Sequence, residues 1–193
     1  MHAEFENYLR THSDLTSSAI EQIYSLAIQR NLKRNENIFN VGEISRHKIF
    51  VISGMLRTFS ISPDGSEHIL QFSAEHSWTL DVESYDKQVP SKVNIGAIEH
   101  TEVLCWQKSD FNLLLAELPV FKKLADQVIS QNIYYNRHRM LTTLSSTPEE
   151  RYEDFVRSFP SYLSRLPLRM IAAYLGISLK TLTRIRHGQI QRN

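Results

Sequence analysis

The sequence predicts an α+β protein: an N-terminal antiparallel β-roll, jelly-roll-like and with flanking helices, then a long dimerisation helix and a C-terminal helix-turn-helix domain. Three observations support this prediction. Short β-type runs separated by turn residues follow an N-terminal helix, one long helical pattern comes after them, and two short amphipathic helices joined by a glycine stand near the C-terminal end. The predicted domains are residues 1–119, 120–143 and 144–193.

The N-terminal part changes from a helical to a strand period. Apolar residues recur at helical spacing from Leu15 to Arg30, after Ser and Thr at the start, which predicts a helix. Runs rich in β-branched and aromatic residues follow, separated by turns at Ser53-Gly54 and Pro63-Asp64-Gly65. Such spacing is typical of a small barrel, sandwich or roll. The predicted strands include 38–41, 48–52, 55–61, 68–72, 93–98 and 103–106.

The long helix is predicted from Val120 to Thr143, after Pro119 interrupts a shorter helix. Steps of three and four residues along it give an imperfect coiled-coil seam, as expected where one face meets a partner helix. The predicted dimerisation residues are Phe121, Leu124, Val128 and Tyr135. The alternative is an ordinary core helix within one monomer.

Residues 166–187 have the pattern of a helix-turn-helix. Ile171 and Leu175 give the first helix one apolar stripe, and Gly176 can take the positive φ that ends it. Ser178 can cap the second helix, which turns Leu182 and other apolar residues inward. The second helix turns hydrogen-bonding and cationic side chains outward. Such groups can read base edges and phosphates in a major groove. The predicted DNA-binding residues are Arg169, Ser178, Lys180, Thr181, Thr183, Arg184 and His187. A helical hairpin without special purpose is the alternative.

The net charge of +1 conceals an uneven distribution. Residues 1–143 carry 14 basic and 17 acidic side chains, whereas residues 144–193 carry 8 basic and 4 acidic ones. A mildly acidic body with a basic C-terminal end suits a protein that presents that end to double-stranded DNA. From residue 160 onward no acidic residue occurs, and the basic residues are Arg165, Arg169, Lys180, Arg184, Arg186 and Arg192.

Composition excludes several classes of protein. Cys105 is the only cysteine, which excludes an internal disulfide and any metal cluster held by several thiolates of one chain. The histidines show no close His-x-His pair, and no nucleophile motif or phosphate loop occurs, so neither a metal site nor an enzyme is predicted. No run of 18 apolar residues occurs and the N-terminus is polar, which predicts no membrane partner and a cytoplasmic location.

Several stretches resemble one family. Gly42-Glu43 precedes IFVISGMLRTF at 49–59 and the Pro63-Asp64-Gly65 turn, and the C-terminal stretch at 171–186 reads IAAYLGISLKTLTRIR. Over nearly the whole chain this order resembles the CRP/FNR transcription regulators, whose sensor is a cyclic-nucleotide-binding-like β-roll. The resemblance implies sequence-specific DNA binding, with RNA polymerase as a further candidate partner. Helix-turn-helix units usually bind as two-fold pairs, so we expect a homodimer with half-sites about 34 Å apart.

The nucleotide-binding segment departs from the family pattern. Where a cyclic phosphate is bound, family members have Gly-Glu and, later, Arg followed by a small residue; here Leu80-Asp81 and Pro90-Ser91 stand at those positions. No Arg occurs between Arg57 and Arg137, so the phosphate would lack its cation. This argues against cyclic AMP, so we predict no cofactor and leave open an unknown small-molecule effector.

Two aromatic residues of the same segment could line an apolar pocket for an uncharged molecule, or could simply be core residues. The candidate effector pocket consists of Trp78, Asp81, Tyr85 and Ser91.

The second helix also departs from the family. Lys180 stands where Glu is common, so it would favour guanine acceptors or a phosphate instead of a cytosine amino group. Arg184 matches the family position and is the first choice for a guanine contact, while Arg169 is a phosphate contact. We therefore predict a sequence-specific transcription regulator of the CRP/FNR type that does not respond to cyclic AMP. The alternative is a ligand-binding or protein-interaction signalling module with a degenerate helix-turn-helix.

Overall fold

The computed structural model describes residues 2–190, which fall into two compact units. Within these residues the first unit comprises 2–60 and 71–131, and the second comprises 61–70 and 132–190. An N-terminal helical segment, a set of antiparallel strands, one long helix and several short helices follow one another along the described chain. The predicted α+β fold class is confirmed.

The strands form two four-stranded sheets. Their bounds are β1 (Ile28–Leu32), β2 (Asn37–Phe39), β3 (His47–Ser53), β4 (Leu56–Ile61), β5 (Glu67–Ser73), β6 (Trp78–Thr79), β7 (Asn94–Ala97) and β8 (Thr101–Gln107). One sheet has the order β1-β8-β3-β6 and the other β2-β7-β4-β5. The pairings of β8 with β1 and β3 and of β7 with β2 and β4 are antiparallel. Both sheets contribute to one buried cluster that includes Leu32, Phe39, Ile49, Leu56, Ile95 and Val103.

The turn between β3 and β4 requires a glycine. Gly54 has a φ of +86°, and a Cβ at this position would lie 2.4 Å from the carbonyl oxygen of His100. Any side chain there would therefore push the backbone apart. This is the Ser53-Gly54 turn that the sequence predicts.

Helices cover one sheet of the first unit. They are α1 (Ala3–His12), α2 (Ser17–Ser25), α3 (Val82–Lys87), α4 (Lys108–Glu117) and the beginning of α5 (Pro119–Ser145). Phe5 and Leu9 of α1 are fully buried beside Phe50 of β3 and Trp106 of β8. The Trp106 indole N–H donates to the Ile23 carbonyl at 2.7 Å, so the buried ring keeps a hydrogen-bond partner.

The predicted helix from Leu15 to Arg30 is wrong at its C-terminal end. Thr16 accepts a hydrogen bond from the Ala19 amide and begins α2, but the helix ends at Ser25. The residues that follow form β1, where Ile28 lies opposite Cys105 of β8. Pairing with a distant strand therefore overrides the local helical period. Helices α1 and α3 were not predicted.

The second unit contains the end of α5 and a group of short helices, α6 (Pro148–Ser158), α7 (Tyr162–Arg165), α8 (Leu168–Leu175) and α9 (Leu179–Ile190). Thr147 begins α6 with a capping box: its hydroxyl accepts from the Glu150 amide, and the Glu150 carboxylate accepts from the Thr147 amide at 2.7 Å. Thr147-Pro148 is a sequence pattern typical of a helix start, and α6 begins there.

Arg139 of α5 connects three parts of the second unit. Its guanidinium donates to the carbonyl oxygens of Ile69 at 3.0 Å, of Leu70, and of Tyr174 at 2.8 Å. It also lies 3.9 Å from the centre of the Tyr174 ring, within the range of a cation–π contact. One side chain thus links α5 to residues 61–70 and to the end of α8.

Candidate nucleic-acid interface and effector cavity

Helices α8 and α9 form the predicted helix-turn-helix. Gly176 ends α8 with a φ of +66° in the left-handed region, as predicted. The Ser178 hydroxyl accepts from the Thr181 amide at 3.0 Å and so caps the start of α9. Ile171 and Leu182 are fully buried, and Ile185 is 5% exposed, so the two helices are fixed against each other by an apolar contact.

The polar face of α9 is open. Lys180, Arg184 and His187 are exposed, while Thr181 and Thr183 are half-buried. Arg169, in the first turn of α8, is also exposed. The second unit therefore carries the cationic predicted residues on its surface, where phosphates and base edges can reach them. Arg192 lies outside the described residues.

Two of the predicted hydroxyl groups already have partners. Ser178 holds the cap of α9, and the Thr183 hydroxyl donates to the Leu179 carbonyl at 2.9 Å. Each oxygen still has lone pairs, but its orientation is set by the helix. Their first role is therefore to shape α9.

Arg184 makes an ion pair that the sequence analysis missed. Its guanidinium donates to a Glu149 carboxylate oxygen at 3.1 Å, and both side chains are largely exposed. Glu149 and Glu150 both lie in the first turn of α6. Only Glu150 closes the capping box, which leaves Glu149 available to reach α9. The capping pattern itself was the signal that the two acids have different roles.

Two of the four predicted dimerisation residues lie in the core and not on the surface, which corrects their assignment. Phe121 and Leu124 are only 1% and 4% exposed and belong to the core of their own chain. Val128 packs against the same core, and Tyr135 bonds through its hydroxyl to Tyr174. These four residues share one helical face, which is buried within the chain at Phe121 and Leu124 and half-buried at Val128 and Tyr135.

A different face of α5 is apolar and exposed. Ile129 and Ile133 are 49% and 51% exposed, and Met140 and Leu144 are 63% and 79% exposed. Steps of four, seven and four residues place them along one side of a helix, at the spacing of a coiled-coil contact. We call Ile129, Ile133, Met140 and Leu144 the α5 stripe.

The first unit contains a cavity of about 190 Å³. Of the four predicted pocket residues, Trp78 and Tyr85 line it. Asp81 and Ser91 bind each other instead, through the Ser91 hydroxyl at 2.6 Å, and Asp81 also caps α3. The structure therefore separates the predicted set into two cavity residues and two structural residues.

Lys48 of β3 belongs to the cavity wall, as do Phe111 of α4 and Phe121 and Leu124 of α5. The Lys48 ammonium lies 5.3 Å from the centre of the Tyr85 ring and 5.6 Å from that of Phe111. Sequence reasoning missed Lys48, because a lysine on a strand pattern is normally a solvated residue. No local signal marks it as part of a cavity.

Burial dominates the electrostatics of this wall. It lowers the pKa of Lys48, while the Asp86 carboxylate partly opposes that change. Burial also raises the pKa of Tyr85 to about 12, with a further contribution from Asp86, so the phenol is neutral at physiological pH. The Tyr85 hydroxyl is buried and has no hydrogen-bond partner among the described residues.

The described residues also bear on metal sites, a reactive thiol and membrane-spanning helices. No group of three or more His, Cys, Asp or Glu lies close enough to hold a metal ion in residues 2–190. Burial raises the pKa of the Cys105 thiol to about 11, so it is a neutral core group. Of the helices in the part that the structure describes, none is long and apolar enough to cross a lipid bilayer.

Comparison with known proteins gives consistent matches. Residues 29–117 match the family model of the cyclic nucleotide-binding domain. The chain is 28% identical over 171 residues to the transcriptional activator protein FnrA of Stutzerimonas stutzeri, which covers 81% of this chain and 68% of that protein.

Solved structures share the fold. FixK2 from Bradyrhizobium japonicum matches with a TM-score of 0.74 at 20% identity, covering 86% of this chain and 85% of the other. CLP of Xanthomonas campestris, a c-di-GMP-responsive global regulator, matches with a TM-score of 0.77 at 12% identity, covering 92% and 93%. At these identities the likeness concerns the arrangement of helices and strands.

Proposed function

We propose that this chain, a transcription regulator of the CRP/FNR type, binds double-stranded DNA in the cytoplasm as a homodimer. In this proposal α9 enters the major groove and α8 positions it on the backbone. The first unit senses an effector that is not a cyclic nucleotide. The observation that carries the proposal is the open cationic face of α9 on a helix pair fixed by Ile171, Leu182 and Ile185.

The DNA contacts divide into two roles. Arg184 is exposed in the middle of α9 and can form two hydrogen bonds to a guanine, once it leaves Glu149. Lys180 lies one turn earlier and can bind a guanine or a phosphate. Arg169 lies at the start of the other helix, where it is suited to a phosphate contact that fixes orientation without reading sequence.

Two copies would meet through the α5 stripe. Four large apolar side chains on one helix face, each about half-exposed or more, have no partner in the described part of their own chain that removes them from water. Burying them against the same stripe of a second copy would form an isologous two-fold contact. A two-fold protein would read a two-fold DNA site with half-sites about one helical turn apart.

The lack of a phosphate site supports an effector other than a cyclic nucleotide. Ser91, at the position where family members place the residue after Arg, donates to Asp81. A carboxylate at this point would repel a phosphate. The segment that follows Asp81 forms α3, of which Tyr85 and Asp86 line the cavity.

Selection of bound fragments from random duplex DNA at about 0.15 M salt tests the proposal directly. We expect a two-fold motif whose recovery is the same with and without cyclic AMP. Arg184→Ala should lose the motif at one position of each half-site. Arg157→Ala, an exposed α6 arginine paired with Asp154, is the matched control and should recover the full motif.

The alternative function, a signalling module with a degenerate helix-turn-helix, predicts the opposite result. Binding would then be weak and independent of sequence, and Arg184→Ala would leave it unchanged. Failure to recover any motif with the intact dimer would favour this alternative.

A further inference from the structure

A second cavity of the first unit opens between the outer strands of the two sheets. β1 is the outer strand of one sheet and β2 that of the other, whereas β6 and β5 lie at the opposite edges. The cavity measures about 230 Å³ and is lined mainly by β1, β2, residues 43–46 and the start of β3. Among the described residues it shares no lining residue with the cavity that contains Trp78, and none of its wall comes from α5. We call this cavity the edge cleft.

The floor of the edge cleft is apolar and uncharged. Phe39, Ile49, Ile95 and Cys105 line it and are at most 9% exposed. Burial raises the pKa of the Cys105 thiol to about 11, so this group is neutral at physiological pH. Ile28 lies at the outer side of the cleft and is still 47% exposed. A saturated chain that replaced water on this surface would therefore be stabilised.

The rim of the edge cleft carries three basic side chains without partners. Arg30, Arg46 and His47 are exposed, and within residues 2–190 none of these side chains has a hydrogen bond or an ion pair. Partial burial and the charges of Arg30 and Arg46 lower the pKa of His47, so its ring is neutral at physiological pH. Both guanidiniums thus lie close enough to act on one imidazole.

Glu43 is the acid that lines the edge cleft in the described part of the chain, and it is already held in place. Its carboxylate accepts from the Asn40 amide at 2.7 Å and from the Asn40 side chain at 3.5 Å. Lys92, beyond the Ser91 main chain that pairs with this loop, lies 3.8 Å from a carboxylate of α3. Two guanidiniums, one carboxylate and a neutral imidazole leave the cleft with one net positive charge.

Other charged groups nearby do not cancel this charge. Lys108 donates its ammonium to two main-chain carbonyl oxygens of α3. Lys48 follows His47 but lines the other cavity, since successive side chains of a strand point to opposite faces. Glu102 of β8 accepts from Gln29 and is separated from the cleft in the same way. The turn between β1 and β2 adds two cations and one acid, which are Lys33, Arg34 and Glu36.

Charge and shape together select a monoanion with a saturated body. A neutral apolar molecule would cover the floor but leave both guanidiniums without a partner. A dianion such as phosphate would exceed the single net positive charge and gain nothing from the floor. A carboxylate is planar and matches the fork of a guanidinium. Since an apolar cavity of roughly 150 Å³ holds a benzene ring, the edge cleft has room for about six to eight saturated carbons.

We propose that the edge cleft binds a medium-chain alkyl carboxylate, with the carboxylate between Arg30 and Arg46 and the chain on Phe39, Ile49 and Ile95. Ile49 belongs to one sheet, whereas Phe39 and Ile95 belong to the other, so the bound chain touches both. Binding therefore stabilises the first unit against unfolding. The inference stands apart from the proposed function, because it requires neither DNA nor a second copy of the chain.

The first experiment varies the ligand. The intact chain, without DNA, is titrated by calorimetry with straight-chain carboxylates from butanoate to dodecanoate, and with hexanamide as the neutral counterpart of hexanoate. We expect hexanoate to bind several-fold more tightly than hexanamide, because it alone forms charge-assisted hydrogen bonds. Affinity should rise about three- to fourfold with each added methylene up to octanoate and then level off, because longer chains protrude into water. Inorganic phosphate at the same concentration should not displace octanoate.

The second experiment locates the ligand. The chain is labelled with ¹³C at isoleucine methyl groups, and the spectrum is recorded as octanoate is added. The signals of Ile28, Ile44, Ile49 and Ile95 should shift, because these side chains line the edge cleft. The signal of Ile129 should stay in place, because Ile129 lines the other cavity of the first unit.

Variants identify the groups responsible. Arg30→Met and Arg46→Met should each lose most of the preference for hexanoate over hexanamide, whereas Arg30→Lys should keep part of it. Ile44→Trp, at a half-buried position of the loop, should fill the cleft and abolish binding of both compounds. Arg34→Met, at an exposed arginine outside the cleft, is the matched control and should bind both as the parent does.

Several results would overturn the inference: equal affinity for acid and amide, an acid preference that survives in both Arg30→Met and Arg46→Met, or no saturable binding. Displacement of octanoate by phosphate would contradict the role of the floor, and a shift of Ile129 alone would place the ligand elsewhere. Because these titrations contain no DNA, such a failure leaves the DNA-binding proposal untouched. Loss of motif recovery in the DNA experiment, with octanoate binding intact, would identify the opposite failure.

Discussion

The Arg184 guanidinium is held 3.1 Å from a carboxylate oxygen of Glu149, so the side chain best suited to read a base is paired with an acid of its own chain. Both groups are largely exposed, and water can replace either partner. If Arg184 contacts a base as proposed, DNA must first displace Glu149 from it.

Glu149→Gln should strengthen binding to all DNA sequences, because Arg184 then approaches the duplex without giving up a carboxylate. Fluorescence anisotropy on the selected motif and on scrambled DNA measures the affinity of both proteins. Glu153→Gln, at an exposed position of the same helix, is the control. An unchanged affinity in Glu149→Gln would show that the pair does not compete with DNA.

Arg184→Ala and Arg169→Ala should weaken DNA binding in different ways. The first should cost about 1–3 kcal/mol on the selected motif and relax specificity at one base pair, since it removes a base contact. The second should weaken motif and scrambled DNA to the same degree and flatten the salt dependence, since it removes a phosphate contact. Competition binding with the two duplexes separates them. Identical behaviour of the two variants would contradict the assigned roles.

Ile133→Asp should convert the proposed dimer to monomers. A carboxylate in the middle of the α5 stripe would be buried without a partner in the two-fold contact. Sedimentation velocity measures the change in mass. Tyr134→Asp is the matched control, because Tyr134 is 68% exposed but lies about 100° further round the helix. A dimer that persists in Ile133→Asp would place the contact elsewhere.

Leu124→Ala should destabilise each chain by about 2–5 kcal/mol, the usual result of removing a buried leucine side chain. The reason is that Leu124 is 4% exposed in the core beside Phe121 and Trp106. Urea unfolding measured at several protein concentrations gives the free energy of unfolding. If Leu124→Ala instead changed only the concentration dependence, the residue would belong to the subunit contact after all.

Local signals predicted much of the second unit. The pattern Thr147-Pro148 with Glu150 specifies a capping box by itself, and Gly176 with Ser178 specifies one helix end and the next helix start. Each of these depends on residues within four positions of one another. The sequence therefore contains everything needed to locate them.

Features that depend on distant partners could not be predicted in the same way. Ile28 belongs to a strand only because β8 pairs with it. Helix α5 has two apolar faces. The spacing of apolar residues from Phe121 predicts the face that packs into the core of the same chain. Lys48 became part of a cavity only when α3 and α4 closed around it.

Helix α1 differs from these features, because local sequence signals for it are present although it was not predicted. Phe5 and Leu9 are spaced for one helix face, acids stand in the first turn and Arg10 and His12 in the last.

All three acceptors of Arg139 are main-chain carbonyl oxygens, at positions 69, 70 and 174. Every amino acid supplies the same carbonyl, so side-chain replacement at those three positions leaves the acceptors in place. The hydrogen bonds that connect α5 to residues 61–70 and to α8 thus depend on one side chain, that of residue 139. A side-chain change at 69, 70 or 174 leaves these three hydrogen bonds possible, whereas a change at 139 removes all three in one step.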